Sequence, residues 1–107
     1  MARSGGSIMT KPYTVIEVLE AQAGKELQLQ SALEAVIKPS RSEKGCLEYR
    51  LHQSLDNPAQ FVFYENWESK EKHLAHMEEA YIKELVVTTE ALLAKPFQVI
   101  LAHELSR

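Results

Sequence analysis

The chain has 107 residues, 45% of them hydrophobic and 25% charged, the balance of an ordinary globular domain built around one core. Its formal charge is -3 and its 12 lysines and arginines are scattered, which excludes the basic footprint of a nucleic-acid or anionic-membrane binder. No apolar run reaches the roughly 18 residues that span a bilayer and the first residues lack the apolar centre of a signal peptide, so a cytoplasmic protein is expected.

Residues 1–11 are rich in Gly and Ser and without periodicity, so a mobile leader is expected there, followed by one domain over 12–107. Tyr13 to Ala21, YTVIEVLEA, is β-branched and aromatic and reads as a largely buried first strand that Gly24 ends. From Lys25 to Lys38 the residues Leu29, Leu33, Val36 and Ile37 recur at helical spacing, and Pro39 is expected to stop that helix. Pro39 to Lys44 then reads as a polar connection, with Gly45 opening the next strand at a φ that other residues resist.

Cys46 to Gln53 alternates, with Leu47, Tyr49 and Leu51 apolar and Glu48, Arg50 and His52 polar; Gln60 to Trp67 alternates with Phe61, Phe63, Glu65 and Trp67 on one face. Ser54-Leu55-Asp56-Asn57-Pro58 supplies turn residues, so the two strands form an antiparallel hairpin. Cys46, the single cysteine, forms no internal disulfide and reads as a small buried strand residue. Ser69 is a natural N-cap with Glu71 in the first turn of a second helix. Leu74, Met77, Tyr81 and Leu85 give its apolar stripe, Val86, Thr89, Leu92 and Leu93 prolong it, and a break is allowed near Glu78 to Ala80. After Pro96, Phe97 to Leu105 alternates as a last strand.

The order strand, helix, strand, strand, helix, strand is an α+β, ferredoxin-like split βαβ arrangement: a four-stranded antiparallel sheet with its helices on one face. The first and last strands carry apolar residues on both faces, Ile16 and Val18 beside Val15 and Leu19, Ile100 and Ala102 beside Val99 and Leu101. A second sheet must cover the other face, and a homodimer is the simplest way to supply it.

The same pattern brings His76, near the inward side of the second helix, toward the strand face of Glu65 and Trp67, the only tryptophan. A carboxylate, an imidazole and an indole in one apolar cleft suit a small-molecule site in which a carboxylate-held histidine acts as a base. A purely structural Glu65–His76 hydrogen bond, with Trp67 as core, is the other reading. A Glu65 partner would raise the pKa of His76. His73 beside Lys70 and Lys72 reads as solvated, and His52 and His103 lack companions at metal-ligand spacing, so no metal is expected. No Gly-rich phosphate loop follows a strand, so no nucleotide or flavin cofactor is expected either.

Four runs carry a likeness: Arg41-x-Glu43-x-Gly45-Cys46-Leu47-x-Tyr49, Ser54-x-Asp56-x-Pro58-x-x-Phe61, Tyr64-Glu65-x-Trp67-x-Ser69, and Leu74-x-x-Met77 around His76. Together they resemble the antibiotic biosynthesis monooxygenase family of dimeric α+β barrel proteins, most of all its small quinol monooxygenases. The resemblance implies a cofactor-independent monooxygenase with catalytic His76, Glu65 and Trp67. A small aromatic quinol, deprotonated in a dry pocket, would react directly with molecular oxygen. Tyr49, Phe63 and Tyr81 would bind that substrate, the first two as ring-stacking walls. Tyr81 stands near the place where the family often has a second histidine. The first strand lacks the asparagine of the haem-degrading branch, so haem degradation is not implied. A non-catalytic ligand-binding or structural homodimer is the competing class.

Overall fold

The computed structural model describes residues 11–106; of the expected leader, residues 1–10 lie outside them. Strand β1 (Tyr13–Glu20) is followed by helices α1 (Glu26–Glu34) and α2 (Ile37–Arg41), the hairpin β2 (Cys46–Gln53) and β3 (Gln60–Trp67), helices α3 (Lys70–Met77) and α4 (Ala80–Glu90), and strand β4 (Gln98–Ala102). The strands form one antiparallel sheet in the order β2-β3-β1-β4. This is the ferredoxin-like arrangement that the element order implies.

The helices lie on the sheet face that bears Val15 and Leu19 of β1 and Phe61, Phe63 and Trp67 of β3. These close into one core with Leu29 and Leu33 of α1, Val36 just before α2, and Ile82 of α4. Register puts Val15 opposite Glu65 and Glu17 opposite Phe63, so both carboxyl groups belong to that covered face. Gly45 has φ +93°, and a Cβ there would press on the Lys72 side chain, so this entry to the hairpin requires glycine on two counts.

Four expectations about the elements are corrected. Pro39 does not end the helical region: it is the third residue of the single turn α2, where a missing N–H leaves no bond unmade. Leu47 is half-exposed, because the β2–β3 register slips between Cys46 and Glu48 and the bulged residue turns outward. Leu74 is half-exposed too; the inward positions of α3 are His73, His76 and Met77, one i, i+3, i+4 set. The last strand stops at Ala102, paired with Thr14, because β1 runs out just beyond at Pro12, which has no N–H to offer. The break between α3 and α4 falls at Glu78 and Glu79, and Ser69 caps α3 by accepting the Lys72 amide N–H at 3.2 Å.

Candidate functional site

Between the sheet and helices α3 and α4 lies a chamber of about 70 Å³. Glu17, Tyr49 and Glu65 line it from the strands, and His73 and His76 from α3; apolar side chains of α4 and the β4 side close it. His76 is 2% exposed. Its Nδ1 lies 2.9 Å from Glu43 Oε2, and the same carboxylate oxygen accepts the Tyr81 hydroxyl. Tyr81 Oη is also 3.5 Å from Ser40 Oγ, so the end of α2, the loop after it and the start of α4 hold one side of the imidazole. Trp67 packs against His76 with ring centroids 4.5 Å apart and planes tilted by 40°, and Tyr49 meets it edge-on at 5.5 Å.

The carboxylate on His76 is therefore Glu43 and not Glu65, a correction to the expected pair. Glu65 instead accepts the Trp67 Nε1–H at 2.9 Å. The expected direction of the histidine shift reverses as well. Burial lowers the pKa of His76 and outweighs the opposing pull of Glu43, so the ring stays neutral further into acid than a free imidazole. His73, expected in solvent, is partly buried against Tyr13 and Trp67, its Nδ1 has no hydrogen-bond partner among the described residues, and burial holds its pKa down at about 4. Burial pushes Glu17 up to about 7 and Glu65 up to about 8, the Trp67 hydrogen bond opposing the second shift.

Of the residues expected at the site, Glu65, Tyr49 and His76 share the chamber wall. Trp67 and Phe63 are fully buried behind that wall, Trp67 under the imidazole and Phe63 against Tyr49 with centroids 4.9 Å apart. Tyr81 lies on the far side of His76, on Glu43. Sequence reasoning missed Glu43, Glu17 and His73. His73 was findable from its i−3 spacing to His76, and Glu17 from its place between Val15 and Leu19 on an apolar strand face. No periodicity relates Glu43, in a loop, to a helix 33 positions later.

The raised carboxyls make a pH signature. Their folded-state pKa values lie above those of the unfolded chain, so the stability they contribute is complete below the unfolded value and is lost as pH rises through the folded one. The histidines work oppositely, with folded values below the unfolded one and stability lost only as pH falls below about 6.5. From pH 6.5 to 8, then, the carboxyls dominate, and the thermal midpoint should fall. Glu65→Gln, which can still accept from Trp67, should flatten that fall; an unchanged slope would show that Glu65 ionises normally in the fold.

A family pattern described as antibiotic biosynthesis monooxygenase matches residues 12–87. The chain is 28% identical over 88 residues to an uncharacterized protein of Synechocystis, spanning 82% of this chain and 60% of that one. It is 34% identical over 62 residues to Rv0793 of Mycobacterium tuberculosis, named as a candidate monooxygenase, spanning 58% of this chain and 60% of that one. The matches thus span about 60% of the length of both curated relatives. Among solved structures, PA3566 from Pseudomonas aeruginosa superposes with a TM-score of 0.87 at 30% identity, over 92% of this chain and 98% of that one. The structure of Rv0793 gives 0.85 at 26% identity, over 90% and 97%.

Proposed function

The chain belongs to the antibiotic biosynthesis monooxygenase family, and from that premise we propose that it is a cofactor-independent monooxygenase of a quinol or other dihydroxyaromatic small molecule. The observation that carries this reading is the Glu43–His76 pair. A carboxylate oxygen only accepts, so Nδ1 keeps the ring proton and Nε2, with no partner among the described residues, offers its lone pair at the chamber. The substrate hydroxyl gives its proton to Nε2, and the resulting phenolate is electron-rich enough to reduce oxygen. The ring gains one oxygen atom and gives up two hydrogens, and the second oxygen atom leaves as water, so quinol and oxygen yield hydroxyquinone and water. The electrons come from the substrate itself.

The chamber's size says how a ring arrives. About 70 Å³ is the room of some two water molecules and less than the ~150 Å³ apolar cavity that takes up benzene. Val86 and Phe97 line both this chamber and an outer groove of about 570 Å³ that continues past Thr89, Leu93 and Lys95. Swinging those two side chains aside joins the spaces and admits the ring against Tyr49. Oxygen uptake on mixing the protein with hydroquinone, in buffer treated to remove metals, tests the reading. Uptake no faster than the uncatalysed rate would leave a ligand-binding or structural homodimer.

The working form in this proposal is a homodimer in the cytoplasm. Val99, Ile100 and Leu101 of the edge strand β4 are 45%, 54% and 55% exposed, so apolar side chains point outward on both faces of a strand with one open backbone edge. An isolated chain with such an edge is an aggregation hazard, which a second copy would cover. Light scattering at micromolar concentration should give twice the chain's 12.1 kDa; the mass of one chain would contradict the dimer. No helix among the described residues is long and apolar enough to cross a membrane.

A further inference from the structure

One carboxyl of the chamber has no part in the proton transfer described above. Glu17 sits in the middle of β1, with Phe63 of β3 opposite on one side and Val99 of β4 on the other. Strand alternation sends its side chain to the covered face, between the buried Val15 and Leu19, and it lines the chamber together with Glu65 and His76. Glu43 holds His76 and Tyr81, and Glu65 holds Trp67. Glu17 has no hydrogen-bond partner among the described residues. The residue is part-exposed and its carboxyl is not sealed in the core, so a molecule entering the chamber can reach it. A bound molecule can supply the missing partner.

We infer that Glu17 reads a second oxygen on the bound ligand, hydrogen-bonding an oxygen across the ring from the hydroxyl that meets His76. The inference rests on the quinol reading of the same chamber and names the residue that selects a ligand with two oxygens over one with a single hydroxyl. The titratable groups facing Glu17 are Glu65 and Tyr49 from the sheet and His73 and His76 from α3; α4 and the β4 side present only apolar side chains. Among the described residues no Lys or Arg lines the chamber to favour a carboxylate. Burial pushes Glu17 up to about 7 and Glu65 to about 8, which keeps donor protons on this wall near neutral pH. An apolar site that keeps an acid neutral makes it a hydrogen-bond donor to developing negative charge.

A site that hydrogen-bonds a ligand oxygen rejects the analogue that lacks it. Binding of hydroquinone and of phenol, measured without oxygen by calorimetry or by fluorescence of the single Trp67, tests this. Hydroquinone should bind the unaltered protein at least about tenfold more tightly than phenol. Glu17→Leu, a substitution suited to an apolar strand face, should bring that ratio close to one. Glu17→Gln keeps a donor and should keep most of the ratio. As pH rises through about 7 the ratio should fall in the unaltered protein and fall less in Glu17→Gln, a readout that does not depend on the Leu variant folding. Equal binding of the two ligands, a ratio indifferent to Glu17→Leu, or the same pH dependence in Glu17→Gln would overturn the inference. If hydroquinone is oxygenated with a ratio indifferent to Glu17, only this assignment fails. If neither ligand binds, the quinol reading fails with it.

Discussion

Oxygen uptake by a His76→Ala variant should fall by about two to four orders of magnitude with a quinol substrate, the usual worth of a positioned general base. The side chain is 2% exposed and hydrogen-bonded, so the variant also leaves Glu43 with Tyr81 as its remaining partner. A stability loss of about 1–3 kcal/mol is expected alongside, and circular dichroism should still show the native fold. The pH profile separates a base from a structural residue. A protonated imidazole accepts no proton, so the rate falls on the acid side, and because burial lowers the pKa of His76 that fall lies below the ordinary imidazole range. Glu43 raises the same pKa, so Glu43→Gln should move the limb further into acid and lower the rate by no more than the loss of His76 itself does. An unchanged rate in His76→Ala, or a limb that ignores Glu43→Gln, would make the pair structural.

Trp67→Ala should destabilise the domain by about 3–5 kcal/mol, read by denaturant unfolding. Trp67 is fully buried at the meeting of Tyr49, His73 and His76, and it donates to Glu65, so truncation leaves a cavity and an unsatisfied carboxyl at once. Because that hydrogen bond lowers the Glu65 pKa, losing it should push Glu65 higher still. The indole supports the imidazole from behind the chamber wall, so weak activity in this variant should return in part on substitution by Phe, which restores a ring under His76. A loss below about 1 kcal/mol would contradict the packing described here.

The sequence wrote its fold plainly where one period ran unbroken. Phe61, Phe63, Glu65 and Trp67 alternate without interruption, and all four are buried on the covered face. The pattern misled where a local device changed the phase. The bulge at Leu47 moved an apolar side chain to solvent, and Leu74 looked inward on hydropathy although the helical face is defined by His73, His76 and Met77. A polar residue on an inward face is invisible to a hydropathy count, which is why His73 and Glu17 were passed over. The histidine's partner was illegible for a different reason. Glu43 and Glu65 are both acidic, and only the path of the chain through α2 and the positive-φ turn at Gly45 decides which of them reaches the ring. The sign of the histidine shift is illegible whichever carboxylate is the partner, because burial, a consequence of packing, exceeds the effect of the carboxylate.

The most direct measurement is the fate of labelled oxygen. The protein, freed of metals, is mixed with hydroquinone under ¹⁸O₂ and the product weighed by mass spectrometry. A monooxygenase working through His76 should place one ¹⁸O atom in each hydroxyquinone formed, with uptake that collapses in His76→Ala. Product without label, with hydrogen peroxide released instead, or labelled product formed equally by His76→Ala, would contradict the account.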